Sequence, residues 1–439
     1  MQADVFKAMV GEAATAIVQH LAQVDQRPVW KPVRSRVESL DRPRSGLQIE
    51  SLHQRQDLPA KGASMDVILS ELFDDVLSPG LQTRSAGYMA YMPSGGLLSS
   101  AVADLIASAV NRYVGNWAAS PGLVELETKV IQWFAKMVGY PPSSRGYLAS
   151  GGSMANISAI LCARRFGAHR SLSKARAYGS SFTHHSLRKA LMMAGFADDV
   201  FVEVQTDACG ALSTSALRAQ IEADRAAGYE PLLILATAGS TMTGAIDPMS
   251  ELASLAMATG LWLHVDAAYG GFFALTQRGQ AALRGLDRAH SITLDPHKSL
   301  FIPYGTGALL VREGEQLRRA HQGTGDRYSP RQDSDERIDF CEHSPELSRS
   351  CRGLRVWLPL KLHGQDAFTS CLDEKLDLAR WLAGELAQLS DVELPFSPSL
   401  TVVVFRWAPS GYDSNQLDDL NRAVLERINE RGRIHLMGV

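Results

Sequence analysis

The sequence predicts an α/β protein with a mostly parallel central sheet, preceded by an N-terminal helical segment and followed by a small α+β domain. Three observations predict it. Short apolar runs alternate with stretches of helical periodicity. The runs are apolar throughout rather than at every second position, as in strands covered on both faces. The polar residues of greatest chemical interest fall directly after those runs, where open α/β sheets bind ligands.

The elements follow in order. MQADVFKAMVGEAATAIVQHLAQV reads as an amphipathic helix, with Phe6, Met9, Val10, Ala13, Ile17 and Leu21 near one face. A Pro- and Arg-rich stretch from Arg27 to Pro43 reads as irregular. Ser120-Pro121 opens the helix GLVELETKVIQWFAKMVGY, because proline suits the first helical turn. Gly151-Gly152 opens a second helix, SMANISAILCARRF. RAYGSSF, DVFVEVQTD, PLLILATAG, LWLHVDAAY, SITLD and GALLVR then read as strands. LRKALMMAGF, TSALRAQIEADRAAG and MSELASLAMATG read as the helices between them. After Cys351 long helical stretches lead to LTVVVFRW, read as a strand, and to the helix LDDLNRAVLERINERG. The expected division is 1–97 as an N-terminal helical and extended segment, 98–350 as the large domain and 351–439 as the small one.

Composition narrows the function classes. The 439 residues exceed one small core. A net charge of −3 offers no basic excess for a nucleic-acid backbone. No apolar run reaches the ~18–20 residues of a membrane span, and no basic-then-apolar leader opens the chain. The five cysteines are scattered, odd in number and never form a CxxC pair, which speaks against a zinc site or a disulfide framework and fits a cytoplasmic protein.

Four polar clusters carry the chemistry. Ser150-Gly151-Gly152-Ser153 precedes a helix, whose free N–H groups and dipole attract a phosphate; a plain helix cap is the bland alternative. His184-His185-Ser186 lies between a strand and a helix, where an imidazole can stack on a flat ring or serve only the scaffold. Asp266 ends an apolar strand and needs a partner, either a protonated ring nitrogen or a scaffold arginine. Lys298 follows Asp295-Pro296-His297 in a chain with only 10 lysines against 34 arginines. Partly desolvated, it is a candidate amine nucleophile; the alternative is a snorkelling surface lysine. A phosphate cradle, a ring platform, an anion for a ring nitrogen and an amine for an aldehyde together describe pyridoxal 5'-phosphate (PLP).

YMAYMPS, SPGLVELE, SGGSMAN, THHS, ATAGSTMTGAIDP, HVDAAYGG, DPHK and SPELSRSCRGLRVW occur in that order between Tyr88 and Gly364. In these motifs the chain resembles the group II PLP-dependent decarboxylases on the aspartate-aminotransferase-like fold (fold type I), above all the aromatic-L-amino-acid branch. The resemblance implies decarboxylation of an L-amino acid to its amine in a homodimer. Lys298 would carry the cofactor as a Schiff base and Asp266 would pair with its ring nitrogen. Ala268 would pack under the ring and His184 over it, with Gly152 and Ser153 on the phosphate and His297 beside the lysine. Ser240 and Thr241 would meet the ring oxygen or the substrate. Tyr91, Met92, Pro93 and Ser94 match a strip lining the substrate pocket. Tyr328, in GDRYSPRQ, is the candidate proton donor on a mobile loop. Asp295 stands where the aromatic branch often has Asn, Ser299 where Trp is common and Met92 where it has Phe. Decarboxylation of 2,4-diaminobutyrate or glutamate, an aldehyde-forming reaction and a catalytically silent protein of this fold are the alternatives.

Overall fold

The computed structural model describes residues 2–31, 58–92, 94–168, 170–322 and 337–438. The chain forms two compact units: Gly96–Gly411, and Met1–Gly95 together with Tyr412–Gly438.

In the larger unit seven strands form one sheet. They are β1 (Arg145–Ala149), β2 (Ala175–Gly179), β3 (Phe201–Glu203), β4 (Glu230–Thr237), β5 (Trp262–Asp266), β6 (Ser291–Leu294) and β7 (Gly307–Val311), in the spatial order β1-β7-β6-β5-β4-β2-β3. Only β7 runs antiparallel to its neighbours, β1 and β6; the other pairings are parallel. The chain crosses between strands through α4 (Gly152–Phe166), α5 (His185–Met193), α6 (Thr214–Ala226) and α7 (Met249–Thr259). Strand alternation sorts side chains to two cores. Leu148, Tyr178, Ile234, Leu263 and Leu310 pack with α6, α7 and the earlier helix α3 (Pro121–Met137). Tyr147, Ala177, Leu233, Trp262 and Leu309 pack with α4 and α5. Both faces are covered, which is why the strands are apolar throughout and why the fold is the expected type I α/β architecture.

Further helices pack in this unit. α2 (Leu98–Val110) precedes α3, and α8 (Arg352–Leu386) packs against both. α8 is broken at Gly364, whose φ of 73° and ψ of 160° are non-helical, and it also contains Pro359. Because α8 packs on these helices, it joins the large unit rather than opening a separate domain at residue 351. LTVVVFRW, expected as a full strand, pairs only at Arg406–Trp407, with Val392–Glu393. Its preceding residues pack through side chains instead: Val402 fills the space beside Gly244, and the Thr401 N–H donates to the Tyr269 hydroxyl at 2.8 Å.

In the smaller unit Trp30–Lys31 pairs with Gly80–Leu81, and Tyr88 forms a bridge with His435. Val29, Tyr88 and Ala90 pack with Leu81 and Met437. α1 (Ala3–Ala22) is the expected amphipathic helix, yet none of its residues is buried, and Phe6 and Ile17 of its apolar face are exposed. α9 (Ser414–Glu430) begins with a capping box between Asp413 and Gln416. No helix among the described residues is long and apolar enough to cross a membrane.

Candidate active site

The parallel strands deliver the predicted residues to one edge of the sheet. β5 ends at Asp266, which is in register with Thr237 of β4 and Thr293 of β6. Asp295 and Lys298 follow β6, His184 follows β2 and the Ser150–Ser153 turn follows β1.

Close backbone approach shapes that turn. A Cβ on Gly307 would lie 2.4 Å from the Gly151 carbonyl carbon, and one on Gly152 would lie 2.8 Å from Asp295 Oδ2. No side chain caps the start of α4, and Ser150 and Ser153 are exposed. The first N–H groups of α4 are therefore free for an anion.

Asp266 is buried. Its Oδ2 accepts from Asn156 Nδ2 at 3.0 Å and its Oδ1 from the Ala268 N–H at 3.1 Å. Its partners are thus an amide and a backbone donor rather than the scaffold arginine held open as an alternative. His184 caps α5, with Nδ1 2.7 Å from Ser186 Oγ. Burial, the largest influence, holds its imidazole below the ordinary value, while Asp266 and Asp295 pull upward and His185 and Lys298 downward.

Lys298 is only 23% exposed at its side chain, and its Nζ sits 3.2 Å from Asp295 Oδ2. It is therefore not a snorkelling surface lysine. Asp295 is buried, its Oδ1 has no hydrogen-bond partner, and burial pushes its carboxyl above the ordinary value against the pull of Lys298 and His297. His297 Nδ1 donates to the Thr306 carbonyl at 2.6 Å, which leaves Nε2 facing Asp295 Oδ2 at 3.6 Å.

The remaining predicted residues are placed as follows. Ala268 is buried beside Asp266. Ser240 is buried and its hydroxyl is engaged with Thr243 Oγ1 at 2.6 Å; Thr241 is half-buried. Tyr91, Met92 and Ser94 belong to the smaller unit, where Tyr91 is exposed with a φ of 58° and Ser94 is buried. Pro93 and Tyr328 lie outside the described residues.

Residue patterns assigned no role to Asn156, Ser186, His264 and Asp295, although Ser186 and Asp295 lie within the polar clusters already singled out. His264 Nε2 lies 3.1 Å from Asn156 Oδ1, and Asn156 Nδ2 lies 3.0 Å from Ser186 Oγ. One signal was available: His264 is two residues before Asp266 and so points to the same sheet face.

A bare helix N-terminus walled by glycines, a donor-supported buried carboxylate and a half-buried lysine fit the phosphate, ring nitrogen and aldehyde of PLP. The orphaned Asp295 oxygen marks a polar place at the same turn that the protein itself leaves unfilled. Fold and site together define a PLP enzyme. Residues 49–408 match the family described as the pyridoxal-dependent decarboxylase conserved domain. An aromatic-L-amino-acid decarboxylase of Bacillus atrophaeus is 32% identical over 434 residues, covering 98% of this chain and 88% of that one. An L-2,4-diaminobutyrate decarboxylase of Rhizobium meliloti is 32% identical over 357 residues, covering 80% and 70%. Among solved structures, Catharanthus roseus tryptophan decarboxylase in complex with L-tryptophan superposes with a TM-score of 0.89 at 25% identity, covering 99% and 91%. The chain belongs to the pyridoxal-dependent decarboxylase family: it is a PLP-dependent amino-acid decarboxylase.

Proposed function

We propose that this enzyme decarboxylates an aromatic L-amino acid to its amine, with Lys298, Asp266 and His184 as the catalytic residues. One observation carries the site assignment: Asp266 and Lys298 leave adjacent parallel strands at the same sheet edge, the acid buried and furnished with two donors. When bound, PLP supplies the electron sink that makes loss of the substrate carboxylate feasible.

The residues divide the work. The Lys298 amine anchors the cofactor, and Asp295 holds that amine until then. Gly152, Ser153 and the first N–H groups of α4 bind the phosphate. Asp266 presents an acceptor to the ring nitrogen, Ala268 backs the ring, His184 covers it and His297 orders the turn beside the lysine. Thr241, with the Ser240 turn, borders the cofactor. Tyr328 or His184 returns a proton to the product α-carbon. The YMAYMPS motif assigns Tyr91, Met92, Pro93 and Ser94 to recognition of the substrate side chain.

The aromatic assignment draws on the Bacillus relative, which matches 98% of the chain. The Rhizobium relative, at equal identity over less of it, favours 2,4-diaminobutyrate as the second reading. A homodimer is part of the proposal. Leu98, Val102, Leu105, Ile106 and Val110 form an exposed apolar strip on α2, which a second copy would cover. Light scattering on the purified chain measures that stoichiometry.

Borohydride reduction of the PLP-loaded chain, followed by peptide mass mapping, is expected to leave the pyridoxyl group on Lys298. Lys298→Ala is expected to lose both the label and carbon dioxide release. A label on another lysine, or full turnover in K298A, refutes the assignment. Mass spectrometry of products from aromatic amino acids, 2,4-diaminobutyrate and glutamate identifies the substrate, and an aldehyde product points to the oxidative alternative.

A further inference from the structure

A single buried amide connects the group expected at the cofactor's ring nitrogen with the one expected over the ring face. Asn156 is 1% exposed. Its Nδ2 lies 3.0 Å from Asp266 Oδ2 and 3.0 Å from Ser186 Oγ; its Oδ1 lies 3.1 Å from His264 Nε2. An ionised carboxylate only accepts hydrogen bonds, so the NH2 end must face Asp266. That choice fixes every other hydrogen in the chain.

Asn156 Oδ1 then requires a hydrogen on His264 Nε2. His264 Nδ1 is left bare and accepts from Ser291 Oγ at 2.9 Å, while Ser291 Oγ accepts from Trp262 Nε1 at 2.9 Å. In the other direction, the second Asn156 N–H goes to Ser186 Oγ. The Ser186 hydroxyl hydrogen goes to His184 Nδ1 at 2.7 Å, which also accepts the Ser186 N–H at 3.3 Å. His184 therefore carries its hydrogen on Nε2. Donation runs one way, from Trp262 through Ser291 and His264 to Asn156, and there it divides between Asp266 and His184. A protonated His264 would direct a second hydrogen at Ser291 and break this order. Burial pushes that imidazole down to about 4, so the neutral form is held.

We propose that Asn156, held by His264, is a positioning residue that sets both the acceptor role of Asp266 and the Nε2–H tautomer of His184. This rests on the PLP reading of the site, which places those two groups on the cofactor. Without His264 the amide is free to turn over and aim its oxygen at the Asp266 carboxylate. Without Asn156 the Ser186 hydroxyl loses its fixed donor, and only the longer Ser186 N–H contact, at 3.3 Å, still holds the His184 tautomer.

The test has two arms. In the cofactor-free chain, nitrogen NMR on 15N-histidine-labelled protein reads the tautomers, with signals assigned by His184→Gln and His264→Gln. Both histidines are expected as Nε2–H in the wild type, and His184 as a mixture in Asn156→Leu. A wild-type Nδ1–H form at either position overturns the proposal whatever the cofactor does. In the second arm PLP affinity is titrated by absorbance. Asn156→Leu and His264→Phe are expected to lose roughly tenfold or more, the size of one hydrogen bond to a charged group. His264→Gln, which both donates and accepts, is expected to remain within about threefold of wild type. Unchanged affinity in both disruptive variants, beside a wild type that binds PLP, overturns the positioning role. Failure of the wild type to bind PLP overturns the cofactor reading instead. Should Asn156→Leu not fold, the contrast between His264→Phe and His264→Gln still decides.

Discussion

Removing the carboxylate of Glu127 should destabilise the large unit and loosen the phosphate turn. β1 is an edge strand of the sheet, so one side of it has no strand to pair with. At Leu148, two residues before the turn, side chains complete the pairing. Glu127 Oε1, from α3, accepts the Leu148 N–H at 3.0 Å. Arg349 Nη2 donates to the Leu148 carbonyl at 2.7 Å, and Arg352 Nη1 donates to the same oxygen at 3.1 Å. Glu127 and Arg349 also pair with each other at 2.7 Å, with side chains 2% and 0% exposed. Glu127→Ala leaves the buried Arg349 guanidinium with only Glu346, 4.0 Å away, as an anion, a loss of at most about 3–5 kcal/mol. It also orphans the Leu148 N–H, which costs about 1–3 kcal/mol where water cannot replace the acceptor. Urea denaturation of the cofactor-free chain, followed by tryptophan fluorescence, measures the shift. The double variant Glu127→Ala/Arg349→Met removes both charges and should be more stable than the sum of the single losses implies. An E127A midpoint corresponding to less than about 1 kcal/mol of destabilisation, or strictly additive single losses, refutes the reasoning.

Two further outcomes follow from the same edge of the sheet. Gly152→Ala puts a methyl group 2.8 Å from Asp295 Oδ2, so the carboxyl that holds Lys298 must move. PLP affinity, read by absorbance titration, should fall roughly tenfold or more while the melting temperature of the cofactor-free chain holds, because alanine suits a helix start better than glycine; unchanged affinity would count against the phosphate assignment. Asp247 accepts the Leu212 and Thr237 N–H groups, both at 2.7 Å, yet burial pushes its carboxyl up to about 6. A group raised in the folded state gives stability that is complete below the unfolded value of about 4 and lost as pH rises through 6. Over that window the wild type should lose about 3 kcal/mol relative to Asp247→Asn. Denaturation of both proteins at pH 4 and pH 7 checks it, and a pH-independent difference sinks it.

What was legible in the sequence was local. Apolar runs such as PLLILAT and LWLHV announced buried parallel strands, and the polar residues directly after them announced the crevice. Periodicity also placed α1 and α3–α7. Contacts between distant segments were not legible. Asn156 and His264 meet from 108 positions apart, and Glu127 and Arg349 from 222. Each of those four residues lies in one of the quoted motifs, but nothing in its own window names its partner. LTVVVFRW misled because a β-rich composition states a preference for extended backbone, not the presence of a partner strand. The apolar face of α1 was read correctly as a pattern, but a pattern does not say which surface will cover it.

Two buried acids at one crevice are told apart by the partners the fold gives them. Asp266 and Asp295 leave adjacent strands, and the charge of Asp266 adds to the upward push on the Asp295 carboxyl. The fold gives them unequal company. Asp266 receives Asn156 and the Ala268 N–H, one donor to each oxygen. Asp295 has Lys298 on one oxygen and nothing on the other. Hydrogen bonds to a carboxylate favour its charged form, and burial without them favours the neutral one. Burial, the largest influence on Asp295, pushes its carboxyl toward the neutral form. An acid that can become neutral is compatible with a phosphate dianion at the neighbouring turn, where a permanent charge would repel it. This gives a physical reason why an Asp can stand at position 295 beside that turn.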